Sequence, residues 1–233
     1  MVSGNPTQLT LGIRLSDEAR FDNYLVTAAN KELVELLLDP GPSERILYIR
    51  AQKGAGLTHL LQAVCHVEAV AEHPALYLPL AEHAQFGPDI LQGVEGLTLL
   101  CLDDVAAVAG NNEWERALFI AWNEIQHSHT RLLIGADRAP QDLPMALPDL
   151  RSRLQTAPVY QLRQPDDEEK KQLLQLRAAR RGMKLTPAVA DYILARTERS
   201  VPALMDVLER LDASSLTHRR PLTIPLVRET IGW

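Results

Sequence analysis

The stretch "AQKGAGLTHL", Ala51 to Leu60, has the residue types of a loop that binds phosphate. Such a loop reads G-x-x-x-x-G-K-[ST]: its glycines bring backbone N–H groups to phosphate oxygens, its Lys neutralises the β- and γ-phosphates, and its hydroxyl holds Mg²⁺. Gly56 and Thr58 fit this pattern. Leu57 stands in the Lys position, and Ala51 stands in the first glycine position. The loop therefore keeps the backbone chemistry of phosphate binding without its principal cation.

Acidic residues end two apolar runs further along the chain. Asp103 and Asp104 follow "LTLLCL", and Asp137 ends "RLLIGAD". A run that is apolar throughout is typical of a strand covered on both faces. In a phosphate site, Asp103 could hold Mg²⁺ together with Thr58.

These residues need a sheet to bring them together, and the periodicity of the chain predicts one. Apolar runs predict strands at 46–49, 75–80, 97–102, 131–137 and 159–162, and helical spacing predicts helices near 28–38, 57–73 and 112–128. This alternation favours an α/β fold with a parallel, doubly wound sheet. Helices alone are predicted afterwards, near 166–181, 187–196, 203–216 and 225–231. The expected organisation is a loose tail over 1–19, an α/β domain over 20–164 and a helical domain over 165–233.

Composition excludes several classes of protein. The 233 residues carry a formal net charge of −6, which argues against duplex DNA as the main partner. Without a membrane span or signal peptide, we expect a cytoplasmic protein with no membrane partner, and Cys65 and Cys101 as reduced core thiols. His59, His66 and His73 recur every seven residues, a spacing that favours surface or interface positions over a metal site.

Together, these motifs resemble AAA+ ATPases, and within them the DnaA/Hda family. The resemblance covers about residues 20–233 and rests on five segments in order: "FDNYLVTAANKEL", "GAGLTHLLQAV", "LLCLDDV", "LLIGADRAP" and "LPDLRSRL". It implies a P-loop-type five-stranded parallel sheet flanked by helices and followed by a small all-helical lid.

Two features favour the Hda branch of this family. Nothing follows the lid region in the sequence, so we expect no C-terminal helix-turn-helix for origin binding. The tail contains "QLTLGI", which is similar to the peptide that docks on the bacterial sliding clamp. In that reading, Gln8 forms hydrogen bonds, and Leu9, Leu11 and Ile13 are apolar anchors in a groove. The alternative is an amphipathic strand that adds to the domain.

The resemblance also assigns the nucleotide site. The phosphate loop comprises Gly54, Ala55, Gly56, Leu57, Thr58 and His59; Asp103 and Asp104 form Walker B, Asp137 is sensor 1, and Thr58 and Asp103 are the Mg²⁺ ligands when nucleotide is bound. The sensor 2 Arg position aligns with Pro202, and Arg199 lies one turn earlier as a replacement. With two cations missing, we expect little or no ATP hydrolysis, because such groups stabilise the transition state of phosphoryl transfer. A bound ADP and a purely structural loop both remain open.

Arg153 in "RSRL" matches the family's arginine finger, and Arg151 is the alternate candidate. An Arg supplied in trans can complete a partner's ATPase site even when its own chain hydrolyses nothing. The resemblance therefore implies a negative regulator of replication initiation at the nucleoid. Its implied partners are the sliding clamp (the β subunit of DNA polymerase III), DnaA, and DNA mainly through the clamp. A clamp-bound adaptor, a self-sufficient ATPase and a homo-oligomer are left open, as is DNA contact by the basic stretch 177–184. Trp114 and Trp122 are expected in core or interface packing.

Overall fold

A computed structural model describes residues 15–41, 44–218 and 222–233 of the chain. The candidate clamp motif, Gln8 to Ile13, lies outside these residues. Five parallel strands form the central sheet of the described part: β1 Ile46–Ala51, β2 Ala75–Pro79, β3 Leu99–Asp103, β4 Arg131–Ala136 and β5 Val159–Leu162. Their order across the sheet is β2-β3-β4-β1-β5, with β1 in register beside β4 from Ile46 opposite Leu132. The predicted α/β class with a parallel sheet is confirmed.

Helices cover both faces of this sheet. Their bounds are α1 Lys31–Leu38, α2 Leu57–Val70, α3 Asn112–Gln126 and α4 Pro148–Thr156. On one face, the buried side chains of α1 and α2 pack against Leu47, Ile49 and Leu133. On the other face, the buried side chains of α3 and α4 pack against Tyr48 and other strand residues. Alternate residues of each strand feed the two cores, as the period of two in a strand requires.

A helical lid follows the sheet. It consists of α5 Asp167–Arg180, α6 Pro187–Arg196, α7 Val201–His218 and α8 Ile224–Ile231, packed around a separate apolar core that includes Leu174, Ile193 and Leu208. Asp166 and Glu169 form a capping box at the start of α5. The sequence predicts these helices within a few residues. It does not predict α4, because a nine-residue helix with two buried leucines has too short an apolar pattern.

Four further observations bear on the sequence predictions. Cys65 and Cys101 are buried free thiols with their Sγ atoms 3.6 Å apart. Trp114 and Trp122 are buried in the core. Among the described residues, no helix is long and apolar enough to cross a membrane. Over the same part of the chain, no three His, Cys, Asp or Glu side chains are grouped to hold a metal ion.

Candidate functional site

The loop between β1 and α2 has a backbone that only glycine adopts easily. Gly54 has φ +86° and Gly56 has φ +91°, both in the left-handed region. Gly56 directly precedes α2, so the first N–H groups of that helix and the positive end of its dipole face the loop. This end of α2 retains the backbone geometry of an anion site.

Leu57, in the position of the missing Lys, is a packing residue. Its side chain packs against the apolar core beneath α2. A Cβ added to Gly135 of β4 would lie 2.9 Å from Leu57 Cδ2 and 3.1 Å from Leu61 Cδ1, closer than carbon atoms normally approach. Leu57 therefore fills the space over Gly135, and its side chain contributes no charge to a phosphate. No pattern in the sequence indicates that Gly135 is needed for this contact.

Thr58 and Asp103, the predicted Mg²⁺ ligands, lie side by side. Thr58 Oγ1 donates a hydrogen bond to Asp103 Oδ2 at 2.7 Å, and Tyr77 Oη donates to the same oxygen at 2.8 Å. Asp103 is only 8% exposed. Burial, followed by the Asp103 charge, raises the pKa of Tyr77, which keeps the phenol protonated as a donor. The structure thus brings the hydroxyl and the carboxylate together as the motif requires.

Asp104 and Asp137 also face this cleft. Asp104 has φ 57°, a left-handed conformation that is uncommon outside glycine. Burial, and then the charges of Asp103 and Asp137, raise the pKa of Asp104. Asp137 accepts hydrogen bonds from Arg138 at 2.7 Å and 3.0 Å, and these bonds lower the pKa of Asp137. The carboxylate of Asp137, the predicted sensor 1 residue, therefore forms an ion pair with the adjacent Arg138.

Acids outnumber available cations in the cleft. The cleft has a volume of about 660 Å³ and is lined by Asp103, Asp104, Asp137 and Glu18. Its basic side chains include Lys53 and Arg177, but Arg177 is already paired with Glu18. Asp137 is paired with Arg138, so among the described residues Asp103 and Asp104 are the acids of the cleft that have no ion pair. A triphosphate would be repelled by these two carboxylates, so the electrostatics disfavour the triphosphate state.

A segment before the sheet connects this cleft to the lid. Arg177 of α5, whose side chain is 9% exposed, forms an ion pair with Glu18 at 2.5 Å and also donates to the Glu18 carbonyl at 3.2 Å. Arg181 pairs with the other carboxylate oxygen of Glu18 at 2.7 Å. Burial lowers the pKa of the Arg177 guanidinium, and Glu18 opposes that effect. The basic stretch at the end of α5 is thus partly neutralised by residues that the sequence assigned to the tail.

The evenly spaced histidines of α2 hold the same segment. His59 Nε2 lies 2.8 Å from the Arg20 carbonyl, and His66 Nε2 lies 2.9 Å from the Ser16 carbonyl. Burial is the main cause of the lowered pKa of His59. These two residues contact a neighbouring segment of the chain, in line with the predicted interface role.

A second, smaller cavity lies between the entry segment, the loop and the lid. It has a volume of about 120 Å³, and its lining includes Tyr24, Asn30, Gly56 and Met205. The Tyr24 ring lies against Gly56, where an added Cβ would be 3.2 Å from Tyr24 Cε2, and burial raises the pKa of Tyr24 to about 12. The cavity adjoins the loop, because Gly54, Ala55 and Gly56 are part of its wall. Nothing in the sequence motif identified Tyr24 as part of this wall.

The sensor 2 region contains no cation in the cleft. Pro202 lies against the loop, with its Cδ 3.7 Å from a Cβ added to Gly54. Arg199 forms an ion pair with Asp167 at 2.8 Å and lines a cavity whose wall also includes Lys53, Gly54 and Pro202. The candidate replacement for the sensor 2 Arg is therefore already paired with a carboxylate of α5.

Arg153 lies far from this cleft in the architecture. It is on α4, whose Leu150 and Leu154 pack on the face of the sheet opposite α2. Within the part of the chain that the structure describes, the Arg153 side chain forms no ion pair or hydrogen bond. In particular, Asp149 in the first turn of the same helix does not form an ion pair with Arg153 in the described part of the chain. Arg151 is fully on the surface, whereas Arg153 is half-buried.

Comparisons with known proteins agree with this architecture. Residues 167–231 match the family of Hda lid domains. The whole fold is similar to domain III of the replication initiation protein DnaA from Thermotoga maritima, with a TM-score of 0.77, 22% identity and coverage of 94% of this chain and 98% of that one. It is also similar to AMPPCP-bound DnaA from Aquifex aeolicus, with a TM-score of 0.71, 22% identity and coverage of 87% and 67%. A DnaA bound to AMPPCP and single-stranded DNA matches with a TM-score of 0.71, 21% identity and coverage of 88% and 69%.

The parallel sheet, the loop before α2 and the helical lid together give the chain an AAA+ fold. More particularly, residues 167–231 match Hda lid domains, and the described part of the chain has the fold of DnaA domain III.

Proposed function

We propose that this protein is an Hda-type negative regulator of replication initiation. In this proposal the tail docks on the DNA-loaded sliding clamp, and the AAA+ body packs against DnaA carrying ATP. Arg153 then enters the ATPase site of DnaA, and hydrolysis leaves the inactive ADP form. DNA is reached mainly through the clamp, so the protein works at the nucleoid in the cytoplasm.

The observation that carries this proposal is the separation of Arg153 from the chain's own cleft. Arg153 lies on α4, on the face of the sheet opposite α2, and its side chain has no hydrogen-bond or ion-pair partner among the described residues. An arginine finger must be presented without being neutralised by its own chain, because its charge acts on the transferring phosphoryl group of another subunit. Arg153 meets that requirement. Arg151, two residues earlier on the same helix, offers a control variant with the same change in charge.

The chain's own cleft supports a regulatory rather than an enzymatic role. Leu57 packs on the sheet, Pro202 lies where sensor 2 would be, and Arg199 pairs elsewhere. Charge stabilisation in phosphoryl transfer comes almost entirely from the groups that are missing here. We therefore propose that the chain does not hydrolyse ATP by itself.

A diphosphate is the nucleotide that the cleft would hold, if it holds one. Gly54, Ala55 and Gly56 with the first turn of α2 would bind its phosphates, and the cavity beside Tyr24 would hold its base. Thr58 and Asp103 would hold Mg²⁺ with it. ADP carries less charge than ATP, which suits a cleft with few cations.

The clamp contact is proposed from the sequence of Gln8, Leu9, Leu11 and Ile13. Replacing Gln8 and Leu9 by Ala should abolish binding to the sliding clamp, as measured by surface plasmon resonance. The circular dichroism spectrum and the melting temperature should stay unchanged, because in this proposal the tail is a docking segment separate from the AAA+ body. Loss of folding in this variant would contradict a separable docking tail.

The deciding experiment measures ATP hydrolysis by DnaA with clamp-loaded DNA and ADP, with and without the full chain. We expect strong acceleration by the natural chain and its loss in Arg153→Ala, with clamp binding intact. Arg151→Ala is the control, because it removes the same charge two residues away and should keep most of the acceleration. A finger in trans is worth ~10³–10⁵ in rate. Full acceleration by Arg153→Ala would refute the assignment, and no acceleration by the natural chain would leave a clamp-bound adaptor.

A further inference from the structure

Glu115 of α3 is a buried charged residue that none of the motifs includes. The residue is 0% exposed. Its Oε1 accepts hydrogen bonds from the backbone N–H groups of Gly110 at 2.6 Å and Ala146 at 3.0 Å, and its Oε2 accepts from Leu147 N–H at 2.5 Å. A carboxylate is costly to bury without such partners. The three N–H donors therefore compensate for burying the Glu115 carboxylate, and they also fix its position.

Two of these donors belong to the start of α4. Leu147 is the residue that caps this helix, and Pro148 is its first residue. Leu150 and Leu154 hold the side of α4 against the sheet, but apolar contacts are not directional. The hydrogen bonds to Glu115 are directional, so they fix the position of the first turn of α4 relative to α3, including its position along the helix axis.

Arg153 takes its position from the same helix. No side chain among the described residues pairs with its guanidinium, so the backbone of α4 is what fixes the point from which the Arg153 side chain extends. The helix has nine residues and spans roughly 13 Å, with Arg153 in its last turn. A shift at the capped end is therefore carried directly to the guanidinium.

We propose that Glu115 is a positioning residue that fixes α4 so that Arg153 reaches the phosphoryl group in the partner's site. This inference rests on the proposed role of Arg153. Glu115 touches no substrate and acts only through Ala146 and Leu147. Displacement of a reacting group by about 1 Å can cost ~10²-fold in rate, so a loosened α4 lowers the maximal rate more than the affinity.

The test uses Glu115→Gln in the full chain, with Glu113→Gln as the control. In Glu115→Gln an NH₂ group replaces one oxygen and faces a backbone N–H, so at least one donor loses its acceptor. Glu113 lies on the same helix and is exposed, and its side chain forms no hydrogen bond within the described residues. Both variants remove one charge, and only the first disturbs α4.

Two readouts separate positioning from general damage. Hydrogen–deuterium exchange should speed up at the amides of Ala146 and Leu147 in Glu115→Gln and stay unchanged in Glu113→Gln. DnaA ATPase stimulation, titrated with each variant, should show a maximal rate lower by roughly 10- to 100-fold and a half-saturating concentration within about twofold of the natural chain. Unchanged exchange, or an unchanged maximal rate, would overturn the proposal.

A further variant keeps the test decisive. If Glu115→Gln does not fold, Glu115→Asp retains the charge with a shorter reach, and it should show the same faster exchange and a lower maximal rate. A rise in the half-saturating concentration alone would place Glu115 in the binding surface and overturn positioning. If Arg153→Ala keeps full stimulation, the proposed function fails, while the exchange rates still report whether Glu115 fixes α4.

Discussion

Replacing Leu57 by Lys tests whether the loop before α2 still receives a phosphate. Leu57 occupies the position of the phosphate-binding Lys and packs over Gly135. The N–H groups at the start of α2 remain oriented for an anion, because Gly54 and Gly56 hold the loop in its left-handed turns. If ADP binds there, Leu57→Lys should raise its affinity.

The size of the effect follows from the charges around the loop. A hydrogen bond to a charged group contributes ~1.5–3 kcal/mol, which corresponds to roughly 10- to 150-fold in Kd. Asp103 and Asp104 line the same cleft and would attract the new ammonium group in the free protein. That competition favours the lower end, so we expect a gain of about tenfold. ATP turnover should stay near zero, because Pro202 still stands in the sensor 2 position.

Calorimetric titration with ADP and Mg²⁺ at one salt concentration measures this gain. Leu57→Met is the matched control, since it keeps an apolar side chain of similar volume and adds no charge. The ratio of the Kd values of the two variants isolates the charge from any change in packing. Equal affinities for the Lys and Met variants would refute the reasoning and show that no phosphate lies at the start of α2.

The remaining predictions concern packing and the segment that joins the cleft to the lid. Gly135→Ala should lower the free energy of unfolding by ~1–2 kcal/mol, because its Cβ would lie 2.9 Å from Leu57 Cδ2 and overpacking outweighs the smaller gain from a stiffer unfolded chain. Urea denaturation measures this cost. The cost of Gly135→Ala should be smaller in a chain that also carries Leu57→Ala, and equal costs in the two backgrounds would contradict the contact. Glu18→Gln should cost ~1–2 kcal/mol by the same assay, because the Arg177 side chain is 9% exposed and loses a charged partner that is itself half-exposed. Asp17→Asn is the control, and an equal loss in both variants would argue against the ion pair.

The sequence was sufficient for the fold and for the positions of the motifs. Strong apolar runs such as "LTLLCL" predict central strands because a strand covered on both faces must be apolar throughout. The helix at 187–196 was predicted to the residue, since Pro187 suits a first helical turn. Boundaries were less accurate: α1 begins at Lys31 rather than near 28, and the Asn30 side chain accepts a hydrogen bond from Thr27 N–H in the turn before the helix.

Contacts between distant segments could not be predicted from local patterns. Glu115 sits in an ordinary polar position of an amphipathic helix, and its three N–H donors lie five, 31 and 32 residues away. Glu18 lies in a stretch with little periodicity, yet it meets Arg177 and Arg181 of the lid. Such pairs depend on how the chain returns to itself, which a window of about 11–18 residues does not contain.

The two faces of the sheet explain how one chain can lose a catalytic Lys and keep a useful Arg. Leu57 packs in the core between α2 and one face of the sheet. Arg153 is on α4, whose leucines pack in the core on the opposite face of the sheet. Packing changes on one face reach the other only through the strands, of which β3 and β4 are buried throughout. Selection on the finger would therefore act on α4 and on Glu115, while the phosphate loop could exchange its Lys for an apolar residue that stabilises the turn. This separation predicts that Leu57→Lys leaves the stimulation of DnaA within about twofold. A larger change would mean that nucleotide at the loop controls how Arg153 is presented.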